Sequence, residues 1–226
     1  MPFRDRSDAG RRLGEALKRR HLEQPVVFAL PRGGVPVAAE VCAALGAPLD
    51  LIIARKIGVP IQPELAMGAV AEGGEPVRNT DVIALVGVTD AEFAAVSQRE
   101  RREIARRRRR YLGDRAPVEV AGCTAIVIDD GIATGATMRA ALLAVRARQP
   151  RKVVLAVPVA PTSTLEALRA DADDIVCLEA HEPFGAIGMF YGDFTQVTDD
   201  EVVALLARHA ATPAHQMSGL ARARFC

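Results

Sequence analysis

The sequence predicts an α/β fold: a parallel five-stranded sheet with helices on both faces. Three observations carry this. Five short apolar runs, 26–30, 49–54, 124–128, 153–157 and 175–178, are unbroken rather than alternating, as strands covered on both faces are. Segments with apolar residues at helical spacing lie between successive runs, at 35–45, 137–148 and 162–170, an order that favours parallel strands joined by right-handed crossovers. The third run ends in two adjacent carboxylates and a glycine/threonine loop, as expected of a strand that delivers ligand-binding groups to the sheet edge.

The remaining elements follow in chain order. Residues 8–20 read as a helix, with Leu13 and Leu17 four apart, packed on the flank of the sheet. An insertion at 55–120 is too long for an ordinary loop and must carry its own structure. It contains an irregular section at 58–76 punctuated by glycine and proline, a short apolar run at 82–86, and a helix over about 90–111. After the fifth strand, 180–195 gathers Phe184, Phe190, Tyr191 and Phe194 in a chain that is only 4% aromatic. The last helix, 199–209, begins with acidic residues that suit the positive end of a helix dipole. The expected organisation is a single domain over 1–210, with the insertion at 55–120, a small C-terminal hood at 180–198, and a poorly ordered tail at 211–226.

Composition narrows the function. With 226 residues, 50% of them hydrophobic, the chain can bury one large core. A net charge of +1 gives no overall bias toward nucleic acid or anionic membrane. The apolar runs are far shorter than the roughly 20 residues of a membrane helix, and residues 1–14 lack an apolar signal core, so a cytoplasmic protein is expected. Cys42, Cys123, Cys177 and Cys226 form no Cys-x-x-Cys pair, which removes support for zinc or thioredoxin-like chemistry. Arg106 to Arg110 follow Glu100 and Glu103 on one helix without interleaved aromatics; this reads as a solvated or subunit-facing surface, and nucleic acid is not expected as a partner.

The most specific signal is Val127-Ile128-Asp129-Asp130-Gly131-Ile132-Ala133-Thr134-Gly135-Ala136-Thr137. Thr134 to Thr137 offer small side chains and clustered backbone N–H groups at a helix start, which suit a phosphate monoester. Asp129 and Asp130 cannot serve that phosphate. They suit vicinal hydroxyls or developing positive charge on the group attached to it, and a phosphorylated sugar has both. Pro31-Arg32-Gly33-Gly34, after the first strand, brings an arginine and two permissive backbones to the same edge, and Arg55-Lys56 ends the second strand there.

The Asp-Asp to Thr-Gly-Ala-Thr run resembles the ribose-phosphate signature of the type I phosphoribosyltransferases, with no departure at the key positions. The resemblance implies that Asp129 and Asp130 hold the ribose hydroxyls of phosphoribosyl pyrophosphate (PRPP) and act in catalysis. Gly131, Ile132, Ala133, Thr134, Gly135, Ala136 and Thr137 then cradle the 5-phosphate, and Arg32, Gly33 and Gly34, in a loop that often holds a cis peptide, meet the diphosphate with Arg55 and Lys56. It also implies a magnesium ion without a direct protein ligand, Asp129 and Asp130 reaching it through water, a flexible lid at 58–74, and a homodimer. The hood is where a small-molecule acceptor with a nitrogen nucleophile, a nucleobase first of all, would stack, with Phe184 and Tyr191 as candidates. A different class, a regulator that binds PRPP without transferring it, would keep the same motif. A receiver-type phosphorylation domain is disfavoured because Leu30-Pro31-Arg32, not an acid pair, follows the first strand.

Overall fold

The computed structural model describes residues 2–209, so the tail expected at 211–226 lies outside the described residues. Five strands, β1 (Pro25–Ala29), β2 (Leu49–Leu51), β6 (Thr124–Ile128), β7 (Lys152–Pro161) and β8 (Asp174–His181), form one parallel sheet in the order β2-β1-β6-β7-β8. Numbers 3 to 5 belong to a second sheet. Alternate residues of each central strand enter opposite cores: Val27, Ala29, Ile126 and Ile128 face one, Val26, Phe28, Ala125 and Val127 the other. That is why these two strands are apolar throughout except at Thr124, the first residue of β6.

Helix α1 (Arg6–Lys18) packs on α2 (Gly34–Leu45) in the first core, where Leu13 and Leu17 are fully buried. The opposite core holds Met138 and Leu142 of α5 (Ala136–Arg146) and Leu165 and Leu168 of α6 (Thr162–Leu168). The C-terminal helix α7 (Asp199–Arg208) starts with a capping box in which Thr198 and Glu201 satisfy each other's backbone N–H groups.

The insertion is more regular than its glycines and prolines suggest. The section read as irregular is a β-hairpin, β3 (Ala54–Val59) and β4 (Gln62–Ala71), turning at Pro60 and Ile61, with β5 (Val77–Arg78) completing an antiparallel sheet. Pro63 is tolerated because β5 pairs only with Gly68 and Ala69, leaving that end of β4 an edge. The apolar run at 82–86 lies in a short helix, α3 (Thr80–Val86), capped by Asn79. Helix α4 (Asp90–Leu112) follows, started by a Thr89/Glu92 capping box.

Strand order fixes where a ligand can bind. The chain leaves β1 toward β2 on one side and returns as β6 on the other, so the loops after β1 and β6 open a crevice at the carboxyl ends of adjacent strands. Residues 30–33 and 129–135 are those two loops.

Candidate functional site

The two loops meet as the sequence requires. The Leu30 N–H donates to the Ile128 carbonyl at 2.9 Å, and a Cβ built on Gly34 would lie 2.8 Å from that same oxygen. One built on Gly33 would lie 2.0 Å from Asp130 Oδ2. Glycine at 33 and 34 therefore lets the arginine loop lie against the acid pair. The Pro31–Arg32 peptide is cis, as the resemblance implies for this loop. Arg32 is partly exposed, its Nη1 3.6 Å from Asp199 Oδ1.

Asp129 and Asp130 have different surroundings. Asp129 Oδ1 accepts the Asp130 N–H at 2.9 Å. Its carboxyl is held well above the usual carboxylate range, first by burial and then by the neighbouring charge of Asp130. Asp130 is buried, and its Oδ2 accepts from Arg6 Nε at 2.8 Å. Arg6 is 124 residues away in sequence, and nothing in its local pattern marks it; only the packing of α1 against β7 and β8, next to the hood, reveals it.

The loop expected to cradle the phosphate divides into a buried half and an open half. Gly131 is packed beneath Ile187, and Ile132 is buried with its N–H donating to the Val159 carbonyl at 3.0 Å. These two residues hold the loop in place, and the Ile132 N–H is already engaged within the chain. The Ala133 carbonyl accepts from the Thr164 hydroxyl at 2.8 Å, while Ala133 and Thr134 are exposed. Gly135 takes φ +76° and caps α5 with no side-chain hydrogen bond. The first-turn N–H groups of Ala136 and Thr137 are thus left to an anion, and no threonine caps the helix.

This open half lines a cavity of about 350 Å³ whose far wall is Gly68 and Ala69 of β4 with Arg78 and Asn79. A cleft of about 450 Å³ between the end of β4 and α4 is larger but contains none of the motif residues, so size does not locate the chemistry.

Arg55 and Lys56 need correction. The second strand ends at Leu51; both residues lie in β3 of the antiparallel sheet, with Lys56 paired to Ala69 at the cavity wall. Arg55 Nε donates to Glu100 Oε2 at 2.5 Å, and that carboxylate is buried. Removing the arginine from a buried partner costs about 3 to 5 kcal/mol. Lys56 meets Glu64, which is almost fully exposed, at 3.1 Å, a kind of pair worth about 0 to 1 kcal/mol. Only Lys56 can exchange its partner for a ligand at little cost.

In the hood, the two aromatic candidates separate. Phe184 is half-buried and stacks on Phe190 with ring centroids 5.2 Å apart. Tyr191 is buried against Phe3 and Phe194, and its hydroxyl donates to the Asp130 carbonyl at 2.6 Å. It packs as a core residue, and Phe184 is the more exposed of the two candidates. Tyr191→Phe removes only that hydroxyl and leaves a buried carbonyl short of a donor; it should lower stability by about 1 to 2 kcal/mol. A urea-unfolding midpoint equal to wild type would contradict this.

The arginine run is largely engaged within the chain. Arg106 and Arg107 donate to Glu103, Arg108 to Glu72, and Arg110 meets Asp199 at 2.7 Å. Arg106 and Arg107 hold the Glu103 carboxyl down at about 2. Among the described residues no group of three or more His, Cys, Asp or Glu side chains is arranged to hold a metal ion, and no helix is long and apolar enough to cross a membrane.

Comparison with known proteins converges on one family. A family model described as the phosphoribosyl transferase domain matches residues 6–190. Two Mycobacterium tuberculosis proteins, from strains H37Rv and CDC 1551 and each named a putative phosphoribosyl transferase, are 47% identical over 206 residues, 91% of this chain. The chain spans 46% of the length of these relatives. The crystal structure of TT1426 from Thermus thermophilus is 44% identical, with a TM-score of 0.80 over 93% of this chain and 100% of that one.

Proposed function

The chain belongs to the phosphoribosyl transferase domain family, and from that premise we propose that it transfers the 5-phosphoribosyl group of PRPP to a nitrogen acceptor, a nucleobase first of all, with release of diphosphate. The observation that carries the proposal is the meeting, in one crevice, of the acid pair, the Arg32 loop and an uncapped helix start. Each supplies what one part of PRPP needs. The open N–H groups at 136–137 take the 5-phosphate, the carboxylates take the ribose hydroxyls, and Arg32 with Lys56 takes the diphosphate.

Transfer breaks the C1–O bond, whose electron pair leaves with diphosphate, and forms a C1–N bond to the acceptor, whose N–H proton passes to the departing diphosphate or to water; the ribose is cationic while the first bond is largely broken and the second is not yet formed. Asp129 and Asp130 lie where that charge develops, so they stabilise it more than the ground state. A magnesium ion would be held mainly by oxygens of the donor, with Asp129 and Asp130 reaching it through water, and would neutralise the leaving diphosphate; adjacent carboxylate oxygens at the crevice suit a hard, hydrated cation. The β3–β4 hairpin, whose tip residue Ile61 is 87% exposed, is proposed to close over the donor and keep water from the cation. Equal hydrogen exchange across 54–71 with and without PRPP would refute closure. A homodimer is proposed on the family resemblance and is checked by light scattering.

The deciding test incubates the protein with PRPP, magnesium and a panel of nucleobases and follows diphosphate release, with donor binding measured by calorimetry. Turnover on one base establishes the reaction and its acceptor. Binding without turnover on any base supports a regulator instead, and absence of binding refutes both.

A further inference from the structure

We infer that Arg6 is a positioning residue of the ribose site, holding the Asp130 carboxylate in place and fastening it to the hood. The inference rests on the donor reading above. Arg6 Nε donates to Asp130 Oδ2 at 2.8 Å, its Nη1 donates to the Thr195 carbonyl at 2.8 Å, and its guanidinium carbon lies 3.9 Å from the centroid of the Phe194 ring. The side chains of Arg6 and Asp130 are 11% and 12% exposed, so this pair is largely shielded from water.

The segment that carries Arg6 is itself bonded to the hood. The Phe3 N–H donates to the Phe190 carbonyl at 2.7 Å, the Gly192 N–H to the Phe3 carbonyl at 2.7 Å, and the Asp193 N–H to the Arg4 carbonyl at 2.8 Å. Tyr191 reaches the backbone of the same aspartate, donating to the Asp130 carbonyl at 2.6 Å. Asp130 is thus gripped twice from one side, at its carboxylate by Arg6 and at its carbonyl by the hood.

The chemistry explains why a guanidinium stands there. Two adjacent carboxylates in a sheltered crevice repel, and a fixed cation on one of them offsets that repulsion. Because Arg6 takes Oδ2, Oδ1 is left to accept from a ribose hydroxyl, and the planar fork can meet a carboxylate, a carbonyl and a ring face together, which an ammonium cannot. Arg6 acts on the donor through Asp130, and it links the donor carboxylate to the part of the fold proposed to receive the acceptor.

The test measures PRPP binding with magnesium by calorimetry for wild type, Arg6→Met, Arg6→Lys, Asp130→Asn and the double variant Arg6→Met with Asp130→Asn, with Lys18→Ala as a control at the far end of the same helix. Circular dichroism establishes that each is folded. Arg6→Met is expected to weaken binding about tenfold or more, the loss of one charge-assisted contact. Arg6→Lys should fall between, Lys18→Ala should match wild type, and Arg6→Met should add nothing in the Asp130→Asn background. Wild-type affinity in Arg6→Met, or losses that multiply in the double variant, would overturn the inference while leaving the donor reading intact. If the Met variant does not fold, Arg6→Lys with and without Asp130→Asn gives the same comparison. A wild-type protein that does not bind PRPP refutes the donor reading and this inference with it.

Discussion

Asparagine at both 129 and 130 is expected to slow diphosphate release at least about a hundredfold, the effect of losing a transition-state contact worth about 3 kcal/mol. The double substitution is the clean experiment because the two residues are not independent. The Asp130 N–H donates to Asp129, and the Asp130 charge is the second cause, after burial, of the raised Asp129 carboxyl. Asp130→Asn alone removes one contact but also removes that repulsion, so its effect is partly offset and is smaller than the sum would suggest. Asp130→Asn also leaves Arg6 without its carboxylate, so thermal unfolding must accompany the kinetics; a fold retained with activity lost assigns the effect to chemistry. A double variant within tenfold of wild type would refute the assignment of these carboxylates.

The same electrostatics sets an opposition between stability and readiness. The folded protein holds the Asp129 proton more tightly than the unfolded chain does. The stability this contributes is present below the ordinary value of 3.8 and is lost as pH rises through the raised folded value. Donor binding is expected to run the other way, since the ionised carboxylate accepts more strongly from a ribose hydroxyl than the neutral acid does. The site is armed over the pH range in which this position weakens the fold.

Much of the parallel sheet was legible because its strands are buried on both faces and therefore unbroken in apolar character. Where legibility stopped, a local rule met a tertiary exception. Pro158 hides the second half of β7; past Ala156 the strand has no β6 partner, so a missing N–H costs nothing on that side. The run 49–54 concealed a change of sheet, since Ile52 and Ile53 are buried like strand residues yet only link β2 to β3. In the site, the acid pair and the glycine loops were readable because each carries its geometry in contiguous residues. Arg6 and Tyr191 were not. One is a charged residue at a helix start and the other an aromatic in a loop, and their roles arise only when the hood folds onto Asp130.

Alanine at Gly33 is expected to be nearly as damaging as loss of the carboxylates, although it adds one methyl group and removes no functional atom. Gly33 has φ −59° and ψ −35°, which alanine adopts readily, so backbone freedom is not why glycine stands there. The reason is space: the added Cβ would lie 2.0 Å from Asp130 Oδ2 and 2.5 Å from its Cγ, far inside van der Waals contact. Two movements could relieve it. The arginine loop could retreat, but Gly34 is already lodged against Ile128 and Asp129. Alternatively the Asp130 carboxylate could swing away, breaking its 2.8 Å bond to Arg6. Overpacking of this kind costs about 1 to 3 kcal/mol of stability, and a displacement of about 1 Å in a positioned group can cost a hundredfold in rate. Gly33→Ala should therefore lose PRPP affinity and turnover together while remaining folded, as read by calorimetry, diphosphate release and circular dichroism. Wild-type affinity and rate in that variant would mean that Asp130 does not need its observed position, and the catalytic role assigned to it would fall.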